Sequence, residues 1–125
     1  MRVHGVLIGF VLWCASGAAF AHSALVRAEP GPRAEVAVSP QYIRLWFNEP
    51  IEAEFSNVTI IKVGGKAIDG VGKPKVASDD ANQLVVPLPP LAPGAYQVRY
   101  RVLSVDGHVV DWGFGFTVAP SSPKP

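Results

Sequence analysis

The chain has 125 residues, of which 49% are hydrophobic and 17% charged, so it has room for one domain and is too apolar for a disordered tail. Lys and Arg number 11 against 10 Asp and Glu, and this near-neutral balance without a basic cluster gives no support to nucleic-acid or anionic-membrane binding. Gly and Pro stand at 12 each, which fits many short strands joined by turns rather than a helical bundle.

The first segment in chain order reads as a leader and not as part of the fold. Gly5 to Ala19 is almost unbroken apolar and small, with Arg2 and His4 before it. Ala19-Phe20-Ala21 then matches the small-x-small pattern of signal peptidase, with the cut after Ala21. The apolar run is short for a membrane-spanning helix, which needs about 20 residues; an uncleaved anchor is the alternative. Residues 1–21 are thus expected to be a cleaved secretory signal peptide, 22–118 the folded domain, and 119–125 a disordered end. No stable membrane insertion is expected once the leader is removed. The single Cys, Cys14, and the single Met, Met1, both fall in the leader. Trp13 precedes Cys14, where lipidation needs a small residue. The mature chain then has no disulfide, no thiolate metal site and no cysteine nucleophile.

Beyond Ala21, apolar and polar residues alternate with period two, the strand signature. A short strand is predicted near Ala24 to Arg27, ended by Pro30-Gly31-Pro32. Ile43, Leu45 and Phe47 form a buried row after Pro40, with Arg44 facing out. Val58 and Ile60 begin the next strand, and Gly64-Gly65 marks a hairpin-like turn after it. Leu84 to Val86 is another short strand. Pro87, Pro89-Pro90 and Pro93-Gly94 frame a loop before the clearest run. There Tyr96, Val98, Tyr100 and Val102 point one way, and Gln97, Arg99 and Arg101 the other. Phe114, Phe116 and Val118 make the last buried row. No amphipathic helix of ordinary length is present in this pattern. About seven short strands predict an all-β, Greek-key antiparallel β-sandwich, immunoglobulin-like or cupredoxin-like, with a closed barrel as the alternative.

Two histidines remain after the leader. His22 becomes the first residue, so its α-amine and its ring Nδ1 can close a six-membered chelate ring on a metal. The amine must lose a proton to bind, and its free pKa of about 7.7–8.0 makes that easy for Cu(II) near neutral pH. The second feature is Asp106-Gly107-His108. On an extended backbone, residues two apart share a side, so the carboxylate and imidazole would converge. Against this stands the ordinary use of Asp-Gly as a hairpin turn. Joined, one amine, two imidazoles and one carboxylate form a set of three nitrogens and one oxygen, which suits tetragonal Cu(II). Zinc accepts such ligands too, but in a tetrahedral arrangement. The soft donors Cu(I) prefers, Cys and Met, are missing from the mature chain, so no separate Cu(I) site is expected.

The stretches His22-Ser23-Ala24-Leu25-Val26 with Glu29-Pro30, Leu45-Trp46-Phe47-Asn48-Glu49-Pro50, Leu91-Ala92-Pro93-Gly94-Ala95-Tyr96, Tyr100 to His108, and Gly113-Phe114-Gly115-Phe116-Thr117-Val118 together resemble the copper resistance protein CopC family. The likeness runs from His22 to about Val118. It implies a periplasmic, monomeric β-sandwich that binds one Cu(II) ion at His22, Asp106 and His108. It also implies Glu49 close to the copper, as a weak ligand or as a group that orients one. Some members carry a Met-rich loop for Cu(I); this chain departs from them. The implied role is sequestering copper or delivering it to a CopD-like inner-membrane copper transporter, without turnover. Two alternatives belong to other classes: a metal-free interaction module on a β-sandwich, and a histidine-brace copper oxidase built on the N-terminal histidine.

The other polar and aromatic residues have simpler readings. Trp46, Trp112, Phe47, Phe55, Phe114 and Phe116 fit core packing, with Trp46 and Trp112 as candidates to flank the copper loops. Asp111 is either a partner for a copper-bound imidazole or an exposed loop carboxylate. Ser104 has no G-x-S-x-G surroundings to support a hydrolase.

Overall fold

A computed structural model describes residues 24–121. Among them the chain forms eight strands and no helix: β1 (Leu25–Glu29), β2 (Glu35–Val36), β3 (Tyr42–Phe47), β4 (Ile51–Lys62), β5 (Lys75–Ala77), β6 (Asp80–Pro87), β7 (Gly94–Ser104) and β8 (Val109–Val118). They build two four-stranded sheets, ordered β1-β3-β6-β5 and β2-β8-β7-β4. The architecture is therefore a sandwich and not a closed barrel. All pairings are antiparallel except the short β2, which lies parallel to β8 at Glu35↔Thr117 and Val36↔Val118.

Alternation makes the core. In β7, Tyr96, Val98, Tyr100, Val102 and Ser104 are buried, while Gln97, Arg99 and Arg101 are exposed. The facing row from β3 is Ile43, Leu45 and Phe47, all buried, and β6 adds Leu84 and Val86. Each such side chain contributes roughly 1.5–3 kcal/mol when fully buried. Phe47 of one sheet meets Tyr100 of the other edge-on, with ring centroids 5.7 Å apart at 75°. That contact joins the sheets near one end. Burial pushes the Tyr100 phenol above its ordinary pKa, so it stays neutral and offers no phenolate donor there.

Two aromatic assignments need correction. Phe55 is 64% exposed and Trp112 70% exposed; neither belongs to the core. Phe55 lies in a bulge of β4, where the register jumps between Glu52↔Leu103 and Asn57↔Arg101. Buried Ser56 closes that bulge. Its hydroxyl donates to the Glu52 carbonyl at 2.8 Å and accepts from the Leu103 amide at 3.1 Å. Trp112 occupies the same row of β8 as Phe114 and Phe116, but it lines an open cavity with Ala24, Leu25, Tyr100 and Val110, where the first sheet gives it little cover.

At the other end, Tyr96 donates its hydroxyl to the Ala92 carbonyl at 2.5 Å. This ties the proline-rich loop to the start of β7, as tyrosine corners do in sandwiches.

Candidate metal centre

The chain crosses from β3 to β4, and so from one sheet to the other, through Asn48-Glu49-Pro50. The β7–β8 hairpin lies at the same end. Its loop is docked on that corner, because the Val105 amide donates to the Pro50 carbonyl at 2.9 Å and Ile51 pairs with Ser104.

Of the two readings of Asp106-Gly107-His108, the structure shows the hairpin turn and not the extended backbone. The Gly107 amide donates to the Ser104 carbonyl at 2.9 Å, the Ser104 amide donates to the His108 carbonyl at 2.8 Å, and Gly107 has φ +85°. This is a tight loop of three residues with glycine in the left-handed region, a common hairpin connection. A turn rather than the pleat sets the spacing of Asp106 and His108. Residue 107 must adopt a conformation that costs a side-chain-bearing residue roughly 1–2 kcal/mol. Open space surrounds a Cβ there, so the cost of Gly107→Ala is purely one of backbone. Denaturant unfolding is expected to show a loss of about 1 kcal/mol, and an unchanged midpoint would mean the loop readily takes another form.

Ser104 is 1% exposed. Its hydroxyl accepts the His108 amide at 3.0 Å and so holds the backbone of His108 against β7. The sequence motif contains this serine, but only the folded loop gives it this job. Asp106 is exposed and makes no hydrogen bond or ion pair among the described residues.

Glu49 and His108 are brought together across the corner. His108 Nδ1 lies 3.2 Å from Glu49 Oε2, with the His108 side chain about half exposed and that of Glu49 15% exposed. With Nδ1 donating to the carboxylate, Nε2 carries the ring's lone pair, the arrangement that would leave Nε2 open to a metal. Asp111 does not join them. It sits on β8, not in a loop, and pairs with Arg101 at 3.5 Å on the exposed face. Trp46 is half-buried under the Arg27 guanidinium, 4.6 Å from its ring; Arg27 also pairs with Glu29.

The chain's amino-terminal side reaches the same corner. The Ala24 amide donates to Asn48 Oδ1 at 2.8 Å, and the Asn48 amide donates to the Ala24 carbonyl at 3.1 Å. His22 lies outside the described residues, as do the leader and the last four residues of the tail. Among the described residues, no group of three or more His, Cys, Asp or Glu is placed to hold a metal ion. They bring together one histidine and one carboxylate, with Asp106 two residues along the loop. Sequence reasoning did not single out Asn48, and it weighed Ser104 only as a hydrolase part. Both lie inside quoted motifs, but the hydrogen bonds that give them roles exist only after folding.

Two sheets packed face to face, with a histidine and a carboxylate paired at one end beside the start of the first strand, define a small β-sandwich with a polar site at one corner. Residues 25–119 match the CopC domain, and the chain belongs to the CopC family. It is 37% identical over 100 residues to Protein YobA of Escherichia coli K12, covering 79% of this chain and 80% of that one. It is 28% identical to the copper transport protein CutJ of Bacillus subtilis, covering 79% of this chain but 18% of CutJ. Among solved structures, CopC from Methylosinus trichosporium OB3b superposes with a TM-score of 0.74 at 37% identity, covering 83% of this chain and 100% of that one. The Escherichia coli protein PcoC, described as a methionine-rich copper resistance protein, gives 0.67 at 28% identity, covering 78% and 99%.

Proposed function

We propose that this chain is an exported carrier of Cu(II) in the periplasm. It holds one ion through the α-amine and ring nitrogen of His22, the Asp106 carboxylate and His108 Nε2. The ion is cargo: the protein binds it, shields it and releases it, without turnover. The observation that carries this reading is the contact between His108 Nδ1 and Glu49 Oε2 at the corner where Ala24 is tied to Asn48. His22 is two positions before Ala24, and two residues of chain span at most about 7 Å. The residues these contacts use, Asn48 and Glu49, are neighbours in the chain, which supports a metal at His108 Nε2 shared with an amino-terminal chelate.

The donor chemistry supports the oxidised ion. Amine, imidazole and carboxylate suit Cu(II) in a tetragonal field. PcoC is described as methionine rich, whereas residues 22–125 of this chain hold neither Met nor Cys, which leaves a second, Cu(I) site without soft donors there. Glu49 acts on this reading through His108 and not as a ligand. It holds the ring, raises its basicity and adds negative charge near the cation. Copper resistance and copper transport in the names of the family relatives support the same cargo. CutJ, in which a stretch similar to this chain makes up a minor share of a longer protein named for copper transport, supports a CopD-like membrane transporter as the recipient.

Calorimetric titration of the chain starting at His22, with electron-spin resonance, tests the reading. One Cu(II) per chain with a tetragonal, nitrogen-rich spectrum is expected. Glu49→Gln is expected to keep that spectrum and weaken binding by roughly 10–100-fold, the usual cost of losing a group that orients a ligand. No stoichiometric binding would overturn the carrier reading. Oxygen-dependent oxidation of ascorbate by the loaded protein would favour an oxidase instead.

A further inference from the structure

The start of β1 is held by a side chain as well as by the ladder. The regular β1–β3 ladder runs through Ala28↔Leu45 and Arg27↔Trp46, then shifts register before Leu25↔Phe47. Past that pair β3 has ended and the chain is turning into the Asn48-Glu49-Pro50 corner. No further backbone partner is available from a strand. Instead the Asn48 side chain supplies Oδ1 to the Ala24 amide, and the Asn48 backbone amide donates to the Ala24 carbonyl. Two hydrogen bonds therefore close a ring between Ala24 and a single residue and extend the ladder by one position. Ala24 and Asn48 are both exposed, so burial does not hold the chain there. The latch residue is also the neighbour of Glu49, which touches His108.

We infer that Asn48 is a positioning residue for copper: its side-chain amide latches Ala24 so that the amino-terminal chelate is delivered to Asp106 and His108. This rests on the Cu(II) reading above. A chelate at the end of a tether binds with an effective concentration set by the length and freedom of that tether. With Ala24 fixed, the chelating residue stands two positions ahead of a held one. With the Oδ1 bond gone, the Ala24 amide is released and Ala24 keeps only the bond from the Asn48 backbone amide, while Leu25 stays paired with Phe47. Each released backbone residue must then be ordered again when copper binds, and ordering one residue offsets about tenfold or more in affinity. Asparagine suits this task because its Oδ1 accepts a backbone amide without adding a charge or a competing anionic donor beside the metal. Asn48 stays outside the coordination sphere.

The test is a double-mutant cycle on the full mature chain. Cu(II) affinity is measured for the chain starting at His22 and for the same chain with one extra alanine ahead of His22, each with and without Asn48→Ala. In the native-start chain, Asn48→Ala is expected to weaken binding by on the order of tenfold, with the same spin-resonance spectrum at saturation. In the extended chain, where the chelate is already lost, the substitution is expected to change affinity by less than about twofold. The Ala24 amide should also exchange with solvent faster in Asn48→Ala without metal, while the Leu45 amide stays protected. Equal weakening in both backgrounds would show a merely structural role and overturn the latch. A changed spectrum would make Asn48 a ligand, which overturns it too. Unchanged affinity in the native-start chain removes the latch and leaves the Cu(II) reading intact. Should the native-start and extended chains bind alike before Asn48 is altered, the amino-terminal chelate itself fails, and the latch with it.

Discussion

His108→Ala is expected to weaken Cu(II) binding by on the order of a hundredfold or more, above the roughly 10–100-fold that follows from losing only a ligand's hydrogen-bonding partner. The substitution removes an imidazole donor and leaves the amine, the His22 ring and Asp106. The spin-resonance spectrum should show fewer coordinated nitrogens. The fold should survive, because His108 is half exposed and its contribution to the loop is made by its backbone. Its amide reaches Ser104 Oγ and its carbonyl accepts from the Ser104 amide, and alanine keeps both. An unfolding midpoint within about 0.5 kcal/mol of the native protein is expected, as for most exposed positions. Native-like copper affinity in His108→Ala would remove this residue from the site.

The largest effect on stability is expected at the middle of the first sheet. Leu45 is fully buried, with Ala28 on one neighbouring strand and Leu84 on the other. Truncation to alanine removes branched carbons from a row that faces the second sheet. A loss of about 2–5 kcal/mol is expected. That is a fall in Tm of roughly 10 °C or more for a domain of this size. Copper affinity measured below the transition should be unchanged, because Leu45 lies in the interior of β3, away from the corner. A loss under about 1 kcal/mol would mean that the sheets do not pack tightly there.

What was legible in the sequence was whatever depends on alternation and on turn chemistry. The buried rows of β3, β6, β7 and β8 follow from period two alone, because each strand is covered on one face. β2 and β5 escaped notice because they are short: Glu35–Val36 and Lys75–Ala77 hold too few residues to show a period. β4 starts earlier than Val58 and carries a bulge, and a bulge breaks the alternation that would reveal the strand. Trp112 has the parity of a core residue, yet cover by the opposite sheet decides burial, and parity says nothing of that. At the site, Asp106-Gly107-His108 was legible as a motif, but its geometry is a turn and not a pleat. The Glu49–His108 contact spans 59 positions and the Ala24–Asn48 pair 24; such pairs arise from the corner where two sheets meet, and no local pattern encodes them.

The chelate at His22 depends on the chain beginning there, so the decisive measurement is a Cu(II) titration of two purified chains, one starting at His22 and one with an alanine added ahead of it. The added residue converts the α-amine of His22 into a peptide nitrogen and changes nothing else in the domain. The account predicts one tightly bound Cu(II) with a nitrogen-rich tetragonal spectrum for the first chain. For the second it predicts affinity lower by on the order of a thousandfold, as joint binding through a linked donor is lost. Equal affinity and identical spectra in the two chains would contradict it, and would leave the histidine and carboxylates at this end of the sandwich without an amino-terminal copper site.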